Sequence, residues 1–132
     1  MAIFGGMIRL AALIALLAAP AAADIADEPD ITARLLIAGE VDILRRQCPE
    51  VEARRVQGTA YLMGIANLAM SKGYSRAEIE AYVENEAEEA RLRKIVRQRL
   101  RAKGARRGDV AAHCAVARAE MAAGTQVGRL LR

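Results

Sequence analysis

The chain has 132 residues, of which 54% are apolar and only 3% aromatic, so a single small domain must build its core from aliphatic side chains and alanine. Two cysteines far apart and one histidine exclude a C-x-x-C redox centre and any metal cluster built on repeated His-x-x-His pairs. The net charge of +4 is unremarkable in sum, but its distribution along the chain is not.

Residues 1–23 have the layout of a cleaved export signal. Arg9 precedes an unbroken apolar run over 10–19, Pro20 breaks it, and Ala21, Ala22 and Ala23 supply the small residues that signal peptidase needs. The run is half of the roughly 20 residues that span a bilayer, which argues against a membrane anchor. Cleavage after Ala23 would place the rest, a single helical domain over 24–132, in the periplasm. The alternative is an uncleaved N-terminal helix. Export excludes ATP, nicotinamide and chromosomal partners. Without Arg9 the chain has 19 basic and 16 acidic residues.

Residues 24–30 are polar, contain Pro29 and read as a flexible entry or a linker to a partner. A first helix is predicted over 31–46, N-capped by Asp30. It is apolar on two faces, with Ile37, Val41 and Leu44 on one and Leu36 and Ile43 on another. Such a helix is central in its bundle or touches a partner. Cys48-Pro49 ends it, and Pro49 suits the first turn of a second helix reaching Lys72. Val51, Gly58, Leu62, Ile65 and Ala69 form its stripe. Gly58 and Gly64 each cost about 1 kcal/mol in a helix, which close approach of another helix would offset.

Ser75 and Glu78 form a capping box that opens a third helix, predicted to run to Gly104. Its apolar stripe Ile79, Val83, Ala87 and Ala90 changes azimuth at Leu92, Ile95, Val96 and Leu100, so either the helix bends near residue 90 or its second half packs on something else. Acids crowd its start. Between 91 and 107 there is no acid, and Arg91, Arg93, Lys94, Arg97 and Arg101 stand among the bases. Asp109 caps a fourth helix whose inner stripe is Val110, Cys114, Ala117 and Met121, and Gly124 stops it. The tail over 125–132 has no acid and sets Leu130 and Leu131 between Arg129 and Arg132.

An all-α bundle of about four helices follows. An even cysteine count in an exported chain points to an intramolecular Cys48–Cys114 disulfide, worth about 4 kcal/mol for a closed loop of this size. Buried free thiols or an intermolecular bridge are the alternatives.

Candidate chemistry is sparse. His113-Cys114 with Met63, Met70 and Met121 would suit copper, but the cysteine is better spent in the disulfide and helical methionines are usually core. Ser71 and Ser75 lack a nucleophile elbow, and Glu78 and Glu80 diverge on a helix. The reading is therefore no enzyme, no cofactor and no metal. The basic stretch lacks interleaved aromatics, which excludes nucleic acid and leaves a solvated helix end or contact with anionic lipid headgroups or an acidic protein.

The segment GYSRAEIEAYVENEAEEARLR (73–93), the two cysteines and the closing ARAEMAAGTQVGRLLR (117–132) resemble a family of small exported bacterial proteins of unknown function. That resemblance implies an accessory component of respiratory complex I, the proton-pumping NADH–quinone oxidoreductase, on the side opposite the cytoplasm. It implies no activity. Relatives often carry an aromatic residue where this chain has His113. A membrane-complex partner then makes Arg91, Arg93, Lys94, Arg97, Arg101, Arg129, Leu130 and Leu131 the candidate partner-binding residues. A free periplasmic binding module or chaperone is the alternative.

Overall fold

The computed structural model describes residues 24–132, and the predicted leader lies outside them. The described chain is all-α: a short 3-10 turn (Ile25–Asp27), then α1 (Pro29–Gln47), α2 (Arg55–Ser71), α3 (Arg76–Val83), α4 (Glu86–Ala102), α5 (Val110–Ala123) and α6 (Gln126–Arg129). The all-α expectation holds, with six helices instead of about four.

Helix α1 is the hub, touched by the 3-10 turn, α2, α4, α5 and α6. This explains its two apolar faces. One face joins α4, α5 and α6 in the larger core, which includes Leu36, Leu44, Val96, Leu100, Ala117 and Leu131. The other end joins Ile25, Ile31, Ile65, Ala69 and Tyr74 in a second cluster under α2 and α3. Where α1 crosses α4, Gly39 meets Val96: a Cβ on Gly39 would lie 2.7 Å from Val96 Cγ2, so the absent side chain permits the crossing.

Several predicted boundaries move. Asp30 is not the cap of α1. Pro29 takes the first turn, and Asp30 lies inside it. The entry segment is folded, not flexible: Asp24 Oδ1 accepts from Ala26 N at 3.1 Å, and Ile25 is buried. Pro49 does not start α2. Residues 49–54 run as a turn and extended backbone that pairs with the chain's end, through Glu52 N to Arg132 O (2.8 Å) and Arg54 N to Leu130 O (2.8 Å). The predicted third helix is two. The break falls at residues 84 and 85, ahead of the expected bend, because Asn85 Oδ1 accepts from Glu88 N at 3.0 Å and caps a new helix.

The capping box at Ser75 is present in both directions. The disulfide joins Cys48 to Cys114, both buried. Helix α6 was not foreseen. It begins directly after Gly124, whose φ of +63° ends α5, and Thr125 caps it by accepting from Gly128 N at 3.1 Å.

Candidate functional site

The predicted chemistry-bearing residues are already occupied. Cys48, Glu50 and Cys114 cluster closely enough to suggest metal ligands, but the two sulfurs are bonded to each other and Glu50 pairs with Arg118 at 2.6 Å. His113 Nδ1 lies 2.6 Å from the Asp109 carbonyl. Ser71 donates to Leu68 O at 2.6 Å, and Ser75 is a helix cap.

Of the partner-binding candidates, Leu130 and Leu131 are corrected outright. They are 4% and 1% exposed, packed in the larger core by the pairing of the tail with residues 52–54. Their apolar side chains are consumed inside the chain. Arg91 is held by Glu88 at 2.5 Å and Arg93 by Glu89 at 2.5 Å, both within α4. Lys94 and Arg129 are exposed and form no ion pair among the described residues. Arg97 is half-buried and Arg101 exposed, one turn apart at the C-terminal end of α4.

Helix α2 is the unexpected surface. Between Arg55 and Lys72 it carries no charged residue, yet only Ile65 and Ala69 are buried. Val56, Met63 and Met70 recur every seventh residue on its outer side and are 79%, 61% and 43% exposed. The predicted stripe residue Leu62 is exposed too, as are Val83 on α3 and Val110 on α5. Met63 and Met70 are therefore not core. Among the described residues, nothing beyond the neighbouring residues and the helix's own backbone lies within 4 Å of a Cβ built on Gly58 or Gly64, so none of the described helices makes the expected approach.

Beside this face opens a cleft of about 240 Å³, lined by Ile25, Leu35, Leu62, Ile65, Tyr82 and Leu92 among others, with Glu88 and Glu89 at its edge. That is below the about 300–1,000 Å³ usual for small-molecule pockets. It has the size to receive one or two side chains of a partner. Of the tyrosines, Tyr82 lines this cleft, and Tyr74 is buried in the cluster beneath α2 and α3. Tyr82 Oη donates to Glu88 at 3.0 Å, and Tyr74 Oη donates to Glu28 at 2.9 Å. Burial, then these carboxylates, pushes Tyr74 up to about 12 and Tyr82 higher.

Away from the cleft, one polar network ties four helices. Glu40, 2% exposed, accepts from Lys103 Nζ at 2.7 Å, and Lys103 also meets Glu120 at 2.8 Å. Thr125 Oγ1 donates to the Glu120 carboxylate. Sequence reading missed Glu40 because a lone acid on an amphipathic helix looks solvated. It missed the α2 surface although the charge-free run was legible.

Compared with known proteins, residues 23–132 match the model of a family of unknown function, DUF5333. No curated protein matches the chain. No solved structure matches it either.

Proposed function

We propose that this chain, which belongs to the family of unknown function DUF5333, is a non-catalytic exported accessory protein that docks on a membrane complex outside the cytoplasm. The observation that carries the reading is the outer face of α2. Exposed Val56, Met63 and Met70, on a helix that carries no charge after Arg55, leave apolar area that a partner would cover. The matching surface must itself be uncharged, since a partner's charge there would be desolvated without a counter-ion. Gly64, bordering that face with Ala60 and Asn67, would let a partner helix approach closely. No helix among the described residues is long and apolar enough to cross a membrane. The resemblance of 73–93 and 117–132 directs the proposal to respiratory complex I.

The test is co-purification. A tagged chain expressed in its native host should elute with solubilised complex I at fixed stoichiometry, and Met63→Asp should abolish this. Recovery only as a free small protein would overturn the reading. Exposed methionines also favour a second reading, an adaptable client-binding chaperone. That reading gains if the free protein suppresses aggregation of several unrelated unfolded clients.

A further inference from the structure

At the C-terminal end of α4 the chain builds a second, much smaller cleft. Ile43 of α1, Leu100 of α4 and Ala105 of the following loop form its apolar side. Arg97 and Arg101 of α4, Arg107 of the loop and His113 of α5 form its polar side. Its volume is about 60 Å³. That is the space of about two waters at ~30 Å³ each, or of one phosphate-sized group.

The electrostatics of this cleft are unbalanced. Among the described residues no carboxylate pairs with Arg97, Arg101 or Arg107. The nearby acids are engaged elsewhere: Glu89 on Arg93, Glu40 on Arg99 and Lys103, and Glu120 on Lys103, while the Asp109 carboxylate caps α5 by accepting from Ala112 N at 2.9 Å. Arg97 and Arg101 are i and i+4, so their side chains leave the same face of α4. Burial first, then the guanidiniums of Arg107 and Arg93, hold Arg97 below the usual guanidinium range. An anion in the cleft would offset the repulsion between Arg97 and Arg107.

His113 completes the wall. Its ring is 2% exposed, and its Nδ1 is taken by the Asp109 carbonyl at 2.6 Å. No side-chain nitrogen or oxygen among the described residues is both sealed from solvent and unpartnered. The Nε2, which has no partner among the described residues, is therefore not wholly sealed, and His113 is one of the residues lining the cleft.

We propose that Arg97, Arg101, Arg107 and His113 form a binding site for a phosphate group, carried by an anionic lipid headgroup or by a soluble phosphate compound. Guanidinium forks match the oxygens of a phosphate, and three of them call for more negative charge than one carboxylate brings. The site stands on observations independent of the α2 surface.

The experiment uses the chain expressed in full and purified as the cell processes it, at fixed ionic strength. Inorganic phosphate is titrated while the NMR signals of Arg97 and His113 are followed. Sedimentation is then measured with phosphatidylcholine vesicles, with and without phosphatidylglycerol. Saturable shifts at both residues are expected. Arg97→Gln and Arg107→Gln should each weaken binding about tenfold or more. Arg76→Gln, an exposed base on α3, should change it by less than about twofold. Arg107 is exposed in a loop, so its replacement leaves the bundle folded. Sedimentation with phosphatidylglycerol that free phosphate competes away identifies a lipid headgroup as the source. Saturation by phosphate without vesicle binding identifies a soluble compound. Absence of saturation, or equal losses from Arg76→Gln and Arg97→Gln, overturns the site. A chain indifferent to phosphate that still co-purifies with complex I would remove this site and leave the docking proposal standing.

Discussion

Glu40 is the residue on which the bundle's ionic contacts converge. Buried and charged, it depends on Lys103, with Arg99 more distant at 3.6 Å. Removing one partner of a buried pair strands the other, so Lys103→Met should cost about 3 kcal/mol in urea unfolding. Lys94→Met should cost almost nothing. Glu120 belongs to the same network. Burial would raise its pKa, but hydrogen bonds from Lys103 and Thr125 outweigh it and hold the carboxyl below its usual range. An Arg91 hydrogen bond does the same for Glu88 against an opposing desolvation. Depressed carboxylates contribute stability above their unfolded pKa of about 4.3, and it is lost as pH falls through the folded values. The tyrosines work in the opposite direction. Burial is the first cause that raises Tyr61, Tyr74 and Tyr82, so their contribution is full below about pH 10 and lost above it. With no tryptophan in the chain, phenolate absorbance reads them directly. The folded protein should titrate above pH 10, and urea should return all three to about 10. A folded-state midpoint at 10 would refute this.

Helices α2 and α6 assign opposite roles to glycine. On α2, Gly58 and Gly64 have empty space around an added Cβ, so Gly58→Ala and Gly64→Ala should each stabilise the isolated chain by about 0.5–1 kcal/mol. If Gly64 serves a partner, the same substitution should lower co-purification with complex I while raising Tm. A rise in both would show that the glycine is not there for docking. In α6, a Cβ on Gly128 would overlap the backbone carbonyl of Glu120. Gly128→Ala must push α6 off α5 and should cost about 2 kcal/mol or more. The break between α3 and α4 has a comparable local cause. Apolar periodicity continues past residue 84, but the Asn85 cap and the Tyr82–Glu88 hydrogen bond make a corner stable where a continuous helix was predicted.

Across the whole molecule, the disulfide and the C-terminal tail close the same end of the bundle. Cys48, Val51, Cys114, Leu130 and Leu131 share one apolar cluster. Cys48→Ser with Cys114→Ser should lower Tm by roughly 15 °C or more, from a loop-closure contribution near 4 kcal/mol. Leu131→Ala should cost about 2–5 kcal/mol for a fully buried leucine. Because the two sites share contacts, combining them should cost less or more than the sum, and a strictly additive result would show that they are independent. Calorimetry of the three variants decides this.

The chain's own residues determined its helical class, the disulfide, the Ser75 and Asp109 caps and the Gly124 stop. Each depends on propensity, on contacts within one turn, or on there being only two cysteines to pair. The 124–131 segment shows the limit. Gly124, Thr125 and Gly128 announce a stop, a cap and a tight approach, but nothing local tells whether Leu130 and Leu131 face water or protein. The tail's pairing with residues 52–54, 76 or more positions away, settled that. The same holds for α2, α4 and Glu40. A helix's sequence specifies which residues share a face, while only the packing of distant elements decides which faces are covered. That is why the exposed side of α2 and the arginine cleft emerged from the tertiary structure alone.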